Sequence, residues 1–469
     1  MVLLAGPTAI AFWSGGYFEG PRLVAAIVAW SLVILVALTS DTPLPRSRPA
    51  QIALAGLVGL AAWVGISVSW APLRGPAFED FERLLLYGAV LIAAVALLRP
   101  RDIARAIEPA LAGGALVVVG YGLSERVLPG VVHLGHSLSA GGRLEQPITY
   151  WNAMGLLAAL GFVLCVRIAG DHTRAPALRI PAACAVVPFG VGVYLSFSRG
   201  ALAALVVGLV VLGLAAPTLA QWRAIGLALA AAIPASVIAG VLSSVRTLSG
   251  SAGRRELEGA VMLVAFAALC AGSAYAQARL VAPADTTTRR APGGVAAYAG
   301  LGAAALAVAA LAAANEHHGA GTPAFGASNS RLGSVESNRY EYWRVALRSF
   351  AHHPLRGAGS SSFQVDWLRQ RKIPDPAHDA HSLYFETAAE LGVVGVALLG
   401  MFLGGTAMSA VRLHRRRPEL VAGWAAALAV WAVHAGLDWD WEMPAVSLIA
   451  LILAGAVTAA ADAQAGRPA

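Results

Sequence analysis

Charge is what this sequence has least of. Asp, Glu, Lys and Arg make up only 13% of its 469 residues, about half the share of an ordinary soluble domain. Lysine is nearly absent: among 34 basic residues, Lys372 alone is not arginine. Cysteine is scarce as well. Cys165, Cys184 and Cys270 lie inside apolar runs, spaced for neither metal nor disulfide, and read as small core residues. There is no P-loop, no Rossmann fingerprint and no Gly-x-Ser-x-Gly elbow. No Asp-x-Asp pair is assigned to a metal-bound sugar nucleotide, so a glycosyl donor is not expected to be a soluble one. Together these gaps exclude a soluble enzyme, a disordered chain and a disulfide scaffold.

What fills the chain instead is hydrocarbon. Apolar side chains reach 58%, in recurring runs of about 17–22 uncharged residues, each long enough to cross about 30 Å of bilayer as a helix. The expected fold is all-α: a polytopic integral membrane protein with about 12–14 transmembrane helices. Spans are placed near 2–18, 23–40, 50–73, 84–98, 106–123, 148–166, 180–198, 200–217, 224–244, 259–278, 295–314, 383–411, 420–437 and 444–461. The fourth is short and the fifth carries Glu108. No basic stretch precedes Val2–Phe18, which is read as an uncleaved first span. The domains follow as a bundle of about eleven spans over 1–314, an external loop domain over 315–382, and about three spans over 383–469.

Cations set the direction. With the N-terminus in the cytoplasm, the even-numbered connections and the tail carry seventeen, among them Arg46, Arg99, Arg174 and Arg415. The short outer connections carry nine and hold most of the acids, including Glu79, Asp80 and Glu82 and the group Asp438, Asp440, Glu442. The other eight lie in the long external segment, which is exempt from the rule. The excess of positive charge thus reads as topology, with the N- and C-termini in and the bilayer as partner, and not as a nucleic-acid signal. Within the long segment, Ser337–Phe350 is expected to form an amphipathic helix. Ser334 or Ser337 would cap it, and Tyr340, Trp343, Leu347 and Phe350 would form a membrane-facing apolar stripe.

Three residues stand out chemically. Arg199 is the only charge between Ile180 and Trp222, at a tight hairpin on the outer side. It reads either as an arginine snorkelling to headgroups or as an anion-binding guanidinium. His381 precedes the span from Leu383 and has the side chain suited to a general base near neutral pH. Arg339 opens the amphipathic helix. Glu386 and Glu390 follow His381 at i, i+4 spacing, and Glu390 lies deep enough to need a partner. Gly357-Ala358-Gly359 before Ser360–Ser362 is either a plain turn or an anion nest. His352, His353 and His378 read as loop residues, and no convincing fourth zinc ligand joins them. Two guanidiniums and an imidazole on one side of the membrane suit a diphosphate leaving group and a hydroxyl to be deprotonated.

At these residues the sequence resembles the O-antigen ligase/polymerase superfamily of membrane glycosyltransferases. The resemblance runs over about 143–400. It rests on Tyr150-Trp151-Asn152-Ala153-Met154-Gly155, Ser198-Arg199-Gly200, and Arg339 with Trp343. Further along come His353-Pro354-Leu355-x-Gly357-x-Gly359 and His381-Ser382-x(7)-Glu390-Leu391-Gly392. It implies a GT-C-like helical enzyme without cofactor or metal, in the cytoplasmic membrane. Such an enzyme transfers a glycan from an undecaprenyl-diphosphate carrier to an acceptor hydroxyl on a glycolipid or glycan. By the same resemblance His381 is the base, Arg199 and Arg339 hold the diphosphate, and Asn152, Gly359 and Glu390 are further binding residues. A polysaccharide polymerase, a transporter or flippase of envelope glycolipids, and an assembly protein are the other readings. A transporter would place its charges near the bilayer midplane, whereas these lie at one edge.

Overall fold

The computed structural model describes residues 1–40, 44–281, 326–328 and 338–465. Among them every regular element is helical, as a backbone without water to bond must be. In chain order these are α1 (Val2–Ala11), α2 (Glu19–Thr39), α3 (Arg48–Ser67), α4 (Arg74–Leu97), α5 (Arg101–Val127), α6 (Trp151–Gly170), α7 (Pro176–Leu195), α8 (Arg199–Ala215), α9 (Leu219–Val241), α10 (Ser243–Thr247) and α11 (Ala252–Ala276). Then come α12 (Arg339–His352), α13 (Phe363–Gln370), α14 (Leu383–Arg416), α15 (Pro418–Ala435) and α16 (Pro444–Ala465). Among the described residues ten helices are long and apolar enough to cross a membrane, and α1 and α8 are shorter apolar ones. The chain is a multi-pass membrane protein. The expected span 295–314 and the proposed caps Ser334 and Ser337 lie outside the described residues.

Three expected spans change shape. The first does not run from 2 to 18: α1 stops at Ala11, and Gly15 and Gly16 then turn at φ 65° and 78°, which a residue without Cβ adopts readily. Ten residues reach about 15 Å, half the hydrocarbon thickness. The fourth lengthens into α4, whose first turns hold Glu79, Asp80, Glu82 and Arg83 and whose apolar part starts at Leu84. The twelfth is broken: Gly392 has φ 65° and ψ −163° inside α14. A short helical piece carrying Glu386 and Glu390 therefore precedes the spanning piece.

The bundle has two polar ends. At one, the amides of Arg46 and Ser47 donate to Asp462 at 2.8 and 2.6 Å, and Arg167 donates to the Glu419 carbonyl at 2.6 Å. At this end Glu108, 1% exposed, pairs with Arg174. That pairing explains how α5 carries a buried acid, since an unpaired one is far costlier. At the other end Arg22 pairs with Glu79 at 2.7 Å, Arg83 with Asp80 at 2.9 Å and also with Glu442, and Arg339 with Asp438. Among the described residues, crossings alternate between these ends from α2 to α11 and again from α14 to α16. α6 and α16 form the buried centre, and α2 and α11 lie at the rim. Close helix packing uses small residues: a Cβ on Gly56 of α3 would lie 2.4 Å from the Phe402 amide of α14.

Candidate active site

At the second end a turn joins α15 to α16 through Gly436-Leu437-Asp438-Trp439-Asp440-Trp441-Glu442-Met443. Each of its three carboxylates engages one basic side chain. Asp438 accepts from Arg339 Nη2 at 2.5 Å and from the Tyr150 hydroxyl at 2.7 Å. Tyr150 in turn accepts from Asn152 Nδ2 at 2.7 Å. Asp440 pairs with His434 Nδ1, and His434 Nε2 lies 3.3 Å from the Ser198 hydroxyl. Glu442 pairs with Arg83. Burial alone would push the Asp438 carboxyl up, but Arg339, then His381 and His434, hold it below the usual carboxylate range. Burial likewise opposes charge on Arg339, and Asp438 more than offsets it, so the guanidinium sits above its ordinary value.

His381 lies beside this pair. Its ring is 5.1 Å from Tyr342 and 6.4 Å from Trp439, centroid to centroid. Its Nδ1 is 3.1 Å from the Asp379 carbonyl oxygen. A carbonyl only accepts, so that bond requires the proton on Nδ1 and leaves the Nε2 lone pair available in the neutral ring. The backbone is left-handed at this residue, with φ 52°, a conformation a non-glycine residue holds only when its surroundings enforce it. Burial raises the neighbouring Asp379 carboxyl, and His381 opposes that rise.

Arg339 is placed by docking of α12. The Asn338 amide nitrogen donates to Asp375 at 2.7 Å, and the Tyr342 hydroxyl bonds the same carboxylate. The buried stripe of α12 is Tyr342, Val345, Ala346 and Ser349, packed on Phe363, Trp367, Ala380 and Ala389. Tyr340 and Leu347 remain 55% and 49% exposed. The expected apolar stripe is thus split: Tyr340 and Leu347 turn away from the protein, whereas Trp343 packs at the edge of this cluster, its ring 5.3 Å from that of Phe385.

Glu390 and Gly359 occupy a separate clamp. The Ala358 and Gly359 amides donate to the Ala389 and Glu390 carbonyls at 3.0 and 2.8 Å, and Val393 N donates back to the Pro354 carbonyl at 2.8 Å. A Cβ on Gly357 would lie 2.1 Å from the Glu390 carbonyl, and one on Gly392 2.4 Å from the Leu355 carbonyl. Glu390 accepts from Ser361 N at 2.9 Å and Phe363 N at 3.0 Å, so its carboxylate holds the start of α13. The glycine-rich stretch is thus the seat of α14 and not an anion nest.

Arg199 begins α8, half-buried. The turn before it is set by Phe197 at φ 51° and by Ser198, whose hydroxyl accepts from Ala201 N. Arg199 is tied to the charged turn through its neighbour: Ser198 meets His434, which meets Asp440. Asn152, Arg339 and His381 thus gather around Asp438, and Arg199 flanks the same turn by way of Asp440. Sequence reasoning gave Asp438, Asp440, His434 and Tyr150 no chemical role. The available signal was the alternation Asp-Trp-Asp-Trp-Glu in an otherwise uncharged region. Asp438 and Asp440 do have Asp-x-Asp spacing, but their carboxylates are committed to Arg339 and His434. Among the described residues, Asp379, Glu386 and Glu442 bring carboxylate oxygens within 4.8 Å of one another. Glu442 already pairs with Arg83, and Glu386 accepts from Ala380 N at 2.7 Å.

Fold and site define a polytopic helical membrane protein with a buried Arg/Asp/His/Tyr network at one end. Residues 184–400 match the O-Antigen ligase family model (Wzy_C), which supports the resemblance to the O-antigen ligase/polymerase superfamily. The match includes Arg199, Arg339 and His381 and ends before Asp438. No match was found among curated proteins. The family indicates a membrane glycosyltransferase-like enzyme of polysaccharide biosynthesis, acting on glycan or lipid-linked substrates.

Proposed function

We propose that the protein transfers a glycan from an undecaprenyl-diphosphate carrier to an acceptor hydroxyl, without metal, at the outer face of the cytoplasmic membrane. The observation that carries this reading is the placement of His381. Its Nε2 is the proton-accepting nitrogen, and it stands beside a guanidinium fixed on Asp438. In the mechanism, Arg339 and Arg199 receive the diphosphate and stabilise the charge that grows on the leaving phosphate. His381 takes the proton of the attacking hydroxyl as the glycosidic bond forms. Asp438 holds Arg339 in register. A single displacement inverts the anomeric centre.

Orientation follows from charge. The end that gathers Arg46, Arg99, Arg105, Arg167 and Arg174 is taken as cytoplasmic, which puts the charged turn, α12 and α13 outside. Reconstituted liposomes given a polyprenyl-diphosphate-linked glycan and an acceptor test the reading. It predicts a new glycosidic bond with release of the polyprenyl diphosphate. Movement of the glycolipid across the bilayer with no bond formed would contradict it. Glycolipids of a deletion strain then separate ligation, which leaves full-length polymer on the carrier, from polymerisation, which leaves single repeat units.

A further inference from the structure

Between α5 and α6 the chain runs from Leu128 to Tyr150 before it delivers Asn152 to the site. Apolar burial does little to hold the first half of this segment, where Val131 and Leu138 are 79% and 95% exposed. The second half is fixed: Leu144 N donates to the Leu195 carbonyl at 2.8 Å, and the Arg143 guanidinium lies 3.5 Å over the Trp151 ring. What ties the exposed half to the fixed one is a histidine between two acids. His136 Nε2 lies 2.6 Å from Glu125 at the end of α5, and its Nδ1 faces Glu145 at 3.7 Å. Glu145, 1% exposed, also accepts from the amide and the hydroxyl of Ser137, both at 2.6 Å. Among the described residues no other basic side chain pairs with both carboxylates.

Protonation decides what this bridge can do. A neutral imidazole donates from one nitrogen only and turns a lone pair on the second carboxylate, whereas an imidazolium donates to both. Hydrogen bonding to Glu145 holds His136 above the ordinary histidine range; burial opposes the rise and Glu125 adds to it. The other charged or titratable groups around the bridge are Arg126 on α5, His133 and Arg143 in the segment itself, and Arg255 and Glu256 on α11. Arg255 reaches Glu125 at 3.5 Å, and Glu256 faces Gly130. Arg126 bonds the carbonyls of Val245, Arg246 and Gly142.

We propose that His136 is a positioning residue: as an imidazolium it clasps Glu125 to Glu145, which holds the segment that brings Tyr150 and Asn152 to Asp438, and the clasp opens as pH rises. The effect on transfer rests on the function proposed above; the clasp itself does not. A histidine held above its ordinary value, about 6.5, contributes its full stabilisation below that value and loses it as pH rises through the higher one.

Hydrogen exchange on the full-length protein in liposomes tests the clasp, with rates corrected for the intrinsic effect of pH. Protection of amides in 130–142 should fall at least tenfold from about pH 6 to pH 9. His136→Arg, which keeps its charge, should hold protection level over that range, and His136→Gln should show the low value throughout. If His136→Gln fails to fold, Glu125→Gln takes its place and should move the midpoint to lower pH. Wild-type protection that does not fall, or that falls equally in His136→Arg, overturns the proposal. For the positioning role, the ratio of wild-type to His136→Arg transfer rates should drop at least fivefold over the same range, a comparison in which titration of His381 cancels. A constant ratio in proteins that transfer glycan overturns the positioning role and leaves the proposed function standing. If neither protein transfers glycan, that function falls and the exchange result still decides the clasp.

Discussion

At the scale of single residues, the buried acid Asp438 organises the rest. It is 1% exposed and holds Arg339 and Tyr150 together. Removing one partner of a buried pair leaves a charge uncompensated, at a cost on the order of 3 kcal/mol. Asp438→Asn is therefore expected to lower thermal stability in detergent and to reduce transfer at least tenfold; wild-type values for both would show that the pair is idle. The pH sign is fixed by the direction of its shift. A carboxyl held below its ordinary value contributes stability above that value and loses it as pH falls through the lower one. Wild-type unfolding should thus be steeper in acid than that of Asp438→Asn. Arg199→Lys keeps a charge but loses the planar fork, and the expected result is at least a tenfold loss of transfer. The partnership of Arg339 with Asp438 was not legible in the sequence: the two lie 99 positions apart. In the charge count the acid served only as a mark of the outer side.

At the scale of elements, the residues that precede α14 are positioned by a break in that helix. In sequence α14 reads as one span from Leu383 with Glu386 and Glu390 in its first turns, and the apolar run that follows gives no separate start after Gly392. Only the packing of Leu355 and Gly357 against it shows why glycine stands there. Gly392→Ala places a Cβ at φ 65° and 2.4 Å from a carbonyl. It should release the 353–363 segment, read as faster proteolysis there than in wild type. An unchanged cleavage rate would mean that the clamp is dispensable. The amphipathic character of α12 was legible, but its inward face was not. Large aromatics mark the strongest stripe in sequence, whereas the internal contact is made by Tyr342, Val345, Ala346 and Ser349, and of the stripe's aromatics Trp343 joins it, against Phe385.

For the whole molecule, hydropathy located most crossings, because a helix in lipid must be long and apolar irrespective of its neighbours. It failed at the N-terminal segment, where a pair of glycines ends α1 after ten residues. The side proposed for the site rests on the positive charge gathered at the opposite end and can be checked directly. Cysteine placed at exposed Leu355 should react with a membrane-impermeant maleimide in intact cells, and cysteine at exposed His172 only after permeabilisation. The reverse pattern would put the site in the cytoplasm. The most direct test of the chemistry is single-turnover transfer by wild type and His381→Ala in the same liposomes. A general base contributes about 10²–10⁴ in rate, so the variant should lose at least a hundredfold while its melting temperature stays within a few degrees of wild type. Undiminished transfer by His381→Ala would remove the imidazole from the reaction, and the proposed mechanism with it.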